Sequence, residues 1–384
     1  MAPKKILHSV YFSSTVFTFH VALLTFINSS FLEGFISVKF LGFVFMAGSL
    51  GTILLITQMP RLLARFGNFS VTVGCLLFSI LALVGMLASA MPAVVVALFI
   101  AYSILSGGIL LNFDIYIEEF TPRDTVGATR GVFLTFCNLA WVISQLLVAT
   151  FLTGDNYWKI YLLSISFGIL ALIFVFKWLR RVPDITYTPV PLLEGLKIAW
   201  GRWNVRHIVA INLLLQFFFG WMVIYSPIYL HENVGFGWSS IGIIFTIMLL
   251  PYVLFEIPLG KLADVVLGEK EILIIGFIIT ALATMTMAFM QTRALVPWII
   301  VLFATRMGSS FIEIMTETYF FKKIKTEDTT TLEIFRITRP AGYILAPLVA
   351  SMFIPFVEPR FLFLVLGIIM LAGIYASSRI VDTK

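Results

Sequence analysis

Stretches of about twenty apolar residues recur along the whole chain, at roughly 7–29, 38–58, 70–90, 93–116, 130–152, 158–178, 207–229, 240–260, 271–290, 296–320, 334–355 and 360–378. As helices, each is long enough to cross a hydrocarbon core of about 30 Å. In lipid every backbone polar group must be satisfied internally, which leaves only helices or a closed barrel. Barrel strands alternate over about ten residues, whereas these runs are continuous. The expected fold is therefore all-α integral membrane, with twelve transmembrane helices. Composition agrees: only 12% of the 384 residues are charged, against roughly 25% in a soluble domain. So few charges cannot cover a water-facing surface.

The longest polar interruption runs from Lys177 to His207 and carries Arg180, Arg181, Pro183, Pro189, Pro191, Lys197, Arg202 and Arg206. It divides the chain into an amino-terminal set of six spans (1–178), a linker (179–206) and a carboxy-terminal set of six (207–384). With the amino terminus in the cytoplasm, twenty-one of the 26 Lys and Arg residues fall in cytoplasmic segments. Lys39, Lys159, Arg293 and Arg360 fall outside, and Arg306 lies within a span. That is the positive-inside pattern. It accounts for the net charge of +6 without nucleic acid. A multi-pass protein of a cell (plasma or inner) membrane is expected, with both termini cytoplasmic. The apolar run after Met1–Lys5 has no small-residue cleavage site and reads as a first span, not a removable signal peptide. Cys75 and Cys137 lie inside apolar runs and form no metal-ligand spacing or disulfide framework.

The two halves repeat. At an offset of about 200 residues, Leu41-Gly42-x-Val44-Phe45 meets Ile241-Gly242-x-Ile244-Phe245, and Asp114-x-Tyr116 meets Glu317-x-Tyr319. Ser14, Thr18, Thr25 and Asn28 share one face of span 1. Asn212, Gln216 and Ser226 repeat that arrangement on span 7. Two parallel repeats with a site between them is a transporter design.

The loops after spans 2 and 8 carry the most specific motif. The second copy reads Gly260-Lys261-Leu262-Ala263-Asp264, preceded by Pro258; the first reads Pro60-Arg61-Leu62-Leu63-Ala64-Arg65-Phe66-Gly67. This resembles the Gly-x-Leu-Ala-Asp-Arg-x-Gly-Arg-Arg loop of major facilitator transporters, and span count, spacing and the long middle loop extend the resemblance over essentially the whole chain. The resemblance implies two six-helix bundles related by a pseudo-twofold axis. It also implies cytoplasmic latches that close when the site faces outward. Asp264 would latch against the start of span 5 near Arg130, its carboxylate favoured by the helix dipole. The first-copy partner would be span 11, near Arg336 and Arg339. Ala64 removes the acidic group there and Pro60 replaces a glycine; Arg65 is left to pair with Asp114, Glu118 or Glu119. The alternative is a pair of ordinary tight loops, with Gly67 and Gly260 serving the turns.

An ionisable group at mid-depth in a membrane needs a reason. Arg306 lies about ten residues into span 10, and Ser310, Glu313 and Glu317 share its face. The corresponding positions of span 4 are Ser103, Gly107, Leu110 and Asp114, and Glu256 of span 8 stands opposite Ile56. Embedded charge is thus concentrated in the second half. A carboxyl held away from water favours its neutral form and can exchange a proton near neutrality. Arg306, Glu313 and Glu256 are accordingly candidates for a proton-linked or substrate-binding network; the alternative is a static ion pair between Arg306 and Glu313. Glu256 and Glu317 lie nearer the cytoplasmic face, which suits gating or structure. Asn138, Trp141 and Gln145 share a face of span 5. With Asn28 and Gln216 they suit either a cavity for an amphipathic organic molecule or interhelical bonding. Trp221 and Tyr225 of span 7 are similar. His20 is a titratable group inside a span, placed away from the Ser14–Asn28 face, and reads better as a hydrogen-bonded packing residue.

Two signatures of proton-coupled drug exporters in the resembled family are missing: Gly131–Leu152 contains no proline, and Ser103 stands where an arginine is expected near Gly107. No phosphate loop or metal-binding pattern appears. Asp124, Glu327 and Asp328 are too scattered for a lipid-modifying site. The chain therefore reads as a non-enzyme without a cofactor. It would be a secondary transporter, monomeric in the bilayer, moving a small organic solute by proton-coupled alternating access, with export slightly favoured over uptake. The competing readings are a passive facilitator and a non-transporting sensor or scaffold with a transporter fold.

Overall fold

The computed structural model describes residues 3–120, 126–152, 156–182, 197, 200–265, 268–323 and 329–381, without side chains at 3–5, 118, 126–131, 256–257, 260–265, 321–323 and 329–333. The chain forms two compact units, Met1–Pro189 and Val190–Lys384.

The first unit contains α1 (Pro3–Thr25), the short α2 (Asn28–Glu33), α3 (Val38–Phe66), α4 (Asn68–Ala88), α5 (Pro92–Phe120), α6 (Val126–Phe151) and α7 (Trp158–Trp178). A single residue, Gly67, separates α3 from α4. Its φ is 77°, which glycine adopts without steric cost. Its N–H still caps α3 by donating to the Leu63 carbonyl at 2.9 Å, so the reversal costs little hydrogen bonding. The unit's core includes Val10, Phe17, Leu76, Ile109, Phe113, Tyr116 and Val175.

The second unit contains α8 (Trp203–Ile228), α9 (Trp238–Val265), α10 (Glu269–Met287), α11 (Leu295–Lys323), α12 (Thr329–Phe353), α13 (Phe361–Met370) and α14 (Ala372–Ser378). A π-helical turn, Tyr229–Val234, extends α8 and ends at Gly235, whose φ is 85°. Among the described residues eleven helices are long and apolar enough to cross a bilayer, α13 and α14 counting together as one. The twelfth expected run is also helical, as α12. Arg336, Arg339, Pro340 and Pro347 within it lower its hydropathy below that of the others. Phe40, Leu54, Phe78 and Ile173 of the first unit, and Leu282, Ile300 and Met352 of the second, are exposed. Such extensive apolar exposure fits a lipid surface and not water.

The main helix pairings inside the two units correspond, with α13 and α14 together taking the part of α7. In the first unit α1 packs on α5, α6 and α7, α4 on α5 and α7, and α3 on α5. In the second α8 packs on α11, α12 and α14, α10 on α11, α13 and α14, and α9 on α11. Small residues bring the backbones together, as expected where lipid removes the usual hydrophobic drive between helices. A Cβ on Gly107 would lie 2.4 Å from the Thr52 methyl between α5 and α3; one on Gly342 would lie 2.5 Å from the Gln216 backbone carbon between α12 and α8.

Candidate functional site

In the second unit α11 places Arg306, Ser309, Ser310, Glu313 and Glu317 along one face through its 3.6-residue period. Arg306 is 2% exposed. Its guanidinium carbon lies 5.3 Å from the ring centroids of both Phe218 and Phe219 on α8, a cation–π arrangement that replaces part of the lost hydration. From α9, Tyr252 hydrogen-bonds Arg306. Its hydroxyl also shares a 2.7 Å hydrogen bond with Ser309 Oγ. Phe219 and Tyr252 meet edge to face at 6.3 Å. Nε and Nη2 of Arg306 have no hydrogen-bond partner among the described residues. Leaving a buried guanidinium so incompletely bonded costs roughly several kcal/mol, which an interior group does not bear without a use.

Glu313 is half-buried. The charges acting on it through space are those of Glu317, Arg339 and Arg306. Arg339, on α12, is hydrogen-bonded to Tyr343 one turn further on. The α12 backbone is brought against α8 at Gly342, beside Gln216 and Phe217, so Gln216, which is half-buried, lies at the closest approach of these helices. Below it Asn212 Nδ2 donates to Thr338 Oγ1 at 2.7 Å. Phe218, Phe219, Tyr252 and Tyr343 complete the surroundings of Arg306. None carries a sequence signal, because each lies in an apolar run and joins the cluster only through helix pairing.

Apart from the half-buried Asp114 of α5, the first unit fills its helix interfaces, among the described residues, with neutral groups. Gln145 on α6 donates from Nε2 to the Ala22 carbonyl of α1 at 3.0 Å. Asn28 Oδ1 accepts from the Tyr161 hydroxyl at 2.8 Å. Asn112 Nδ2 donates to the Asn68 carbonyl at 2.9 Å and to Thr72 Oγ1, and Asn68 Nδ2 donates back to Asn112 Oδ1 at 2.9 Å. His20 is fully buried. Its Nδ1 lies 2.8 Å from the Ser164 carbonyl, so this nitrogen carries the proton and the ring ties α1 to α7. Trp141 meets Phe26 edge to face at 6.3 Å, and Asn138 beside it is half-buried.

Of the expected latch residues, Arg65 is exposed, with its guanidinium 5.2 Å from the Phe66 ring centroid, and Gly67 forms the turn described above. Glu317 and Arg336 are half-buried and engaged with neighbours. The side chains of Glu118, Arg130, Glu256 and Asp264, and the surroundings of Gly260, lie outside the described residues.

The Major Facilitator Superfamily family model matches residues 9–243 and 226–382. Given the repeated six-helix pairing and the charged span, the chain belongs to this superfamily. No curated protein sequence matches it. Among solved structures it is similar to a mutant form of the nucleoside transporter NupG, with a TM-score of 0.76 and 11% identity over 97% of this chain and 99% of that one. It is similar to the human organic anion transporter MFSD10 (TETRAN), with a TM-score of 0.70 and 12% identity over 98% and 100%. It is also similar to a bacterial homologue of the human lysosomal transporter Spinster, in an inward-facing and unoccupied conformation, with a TM-score of 0.69 and 13% identity over 98% and 93%. At these identities the likeness establishes the fold.

Proposed function

We propose that the chain is a secondary transporter with twelve spans in two six-helix bundles, moving a small organic solute by proton-linked alternating access. The observation that carries this reading is the placement of Glu313 on the same helix face as Arg306, inside a span. A carboxyl and a guanidinium this deep are costly in a bundle whose only role is to pack. Together they form a pair whose charge state changes when a proton or an anion arrives. The structural relatives are a nucleoside transporter, an organic anion transporter and a relative of a lysosomal transporter, which supports an organic solute and leaves its class open. The repeated pairing of helices supports two bundles that move as units. The cytoplasmic motif, with Asp264 in the second copy and Ala64 where the first copy would have an acidic residue, supports an asymmetric gate.

The test is flux in proteoliposomes with a pH gradient imposed across the bilayer and a panel of labelled organic solutes. Proton-linked transport predicts accumulation of at least one solute that collapses with the gradient. Solute movement indifferent to every ion gradient identifies a passive facilitator. No movement of any solute in either direction overturns the transporter reading in favour of a sensor or scaffold.

A further inference from the structure

We propose that the free edge of Arg306 binds the carboxylate of an organic acid whose apolar body rests against the aromatic side chains of α8 and α9. This deepens the transporter reading, on which the acid's role as transported solute rests. The two nitrogens of Arg306 left without a partner are Nε and Nη2. These lie on the same side of the planar guanidinium and direct two N–H groups in parallel, the edge that matches the two oxygens of a carboxylate. The hydrogen bond that Arg306 donates to Tyr252 leaves this edge free. The side chain is thereby fixed from one end, by Tyr252 with Ser309 behind it, and from its face, by Phe218 and Phe219. A guanidinium held by aromatic faces and one phenol, with its two-point edge unbonded and only 2% of the residue exposed, is a preorganised anion receptor.

The internal candidate for that edge is Glu313, one helical face along. It acts on Arg306 through space without bonding Nε or Nη2. Glu313 is therefore the group that an arriving carboxylate competes with. The recognition elements come from three helices of one unit and are not built for a phosphate, which would call for more donors than one arginine edge supplies. Phe218 (0% exposed), Tyr252 (6% exposed) and Phe219 (half-buried) make the surroundings apolar, which selects an acid with a hydrocarbon or aromatic body.

The full chain in lipid nanodiscs, titrated with benzoate and 2-naphthoate and with the isosteric benzamide and 2-naphthamide, tests this by calorimetry and by thermal shift. The acids are expected to bind and to raise the melting temperature, and the amides to do neither. Arg306→Lys keeps the charge and loses the fork, and should weaken acid binding by about tenfold or more. Glu313→Gln removes the competitor and should tighten it severalfold. Should Arg306→Lys fail to fold, the comparison of acid with amide on the unaltered protein still decides. Amides binding as tightly as acids, acids failing to bind up to millimolar concentration, or acid binding unchanged in Arg306→Lys would each overturn the assignment. Counterflow with labelled neutral, cationic and acidic solutes separates the two readings. Carriage of neutral or cationic solutes without acid binding removes the carboxylate site and keeps the transporter. Acid binding with no solute carried removes transport and keeps the site.

Discussion

The two units use the same main helix pairings for different electrostatic purposes. In the first, one described acid, Asp114, is half-buried, and the fully buried polar groups are amides, hydroxyls and one imidazole. They bond across helix interfaces: Gln145 to Ala22, Tyr161 to Asn28, Asn112 to Asn68, His20 to Ser164. Such bonds hold helices in register. In the second, Arg306 is buried and Glu313 half-buried on one face of α11, with the exposed Arg339 acting on Glu313 from α12, and Arg306 keeps two donors unbonded. The frame fixes which helices touch and leaves open what stands at their interfaces. On this reading one unit is held mainly by neutral struts and the other holds the chemistry.

Arg306→Ala should strike that division hardest. It removes the fork while leaving Tyr252 and Ser309 bonded to each other, and solute flux in proteoliposomes should fall on the order of 100-fold with the protein still monodisperse in detergent. If flux survives in Arg306→Ala, the charged unit is not the working one. Next in size is a pair of glycine substitutions. Gly342→Val forces a branched side chain against the Gln216–Phe217 backbone and should cost about 1–3 kcal/mol of stability, read as a lower melting temperature. Gly74→Ala meets nothing within 4 Å and should stabilise α4 by roughly 0.5–1 kcal/mol. Gln145→Leu breaks one bond from α6 to α1 and should cost about 1 kcal/mol with flux unaltered; a collapse of flux would place substrate contacts in the first unit as well. The smallest effect is expected from His20→Asn, whose amide can replace the Nδ1–H toward Ser164. Stability should change by less than about 1 kcal/mol and the pH profile of transport should not move.

Much of this was legible in the sequence, for physical reasons. Membrane helices advertise themselves by uninterrupted apolar length, so the positions of α3, α4, α7 and α10 follow from composition alone. The break after Thr25, the π turn at Tyr229–Val234 and the break between α13 and α14 follow from packing and leave no compositional mark. The shared face of Arg306, Ser310, Glu313 and Glu317 could be read because it lies on one helix. Tyr252, Phe218, Phe219 and Tyr343 could not, since they reach Arg306 only across helix pairs more than thirty residues apart in the chain. His20 was open for the same reason: its partner Ser164 stands 144 residues away, and only that contact fixes which nitrogen is protonated.

The most direct test of the division between the units records solute movement and internal pH together in proteoliposomes of the wild type, Glu313→Gln and His20→Asn. The account predicts that wild type and His20→Asn move protons with solute, while Glu313→Gln exchanges solute across the bilayer and moves no protons. Proton movement that persists in Glu313→Gln and stops in His20→Asn would contradict it.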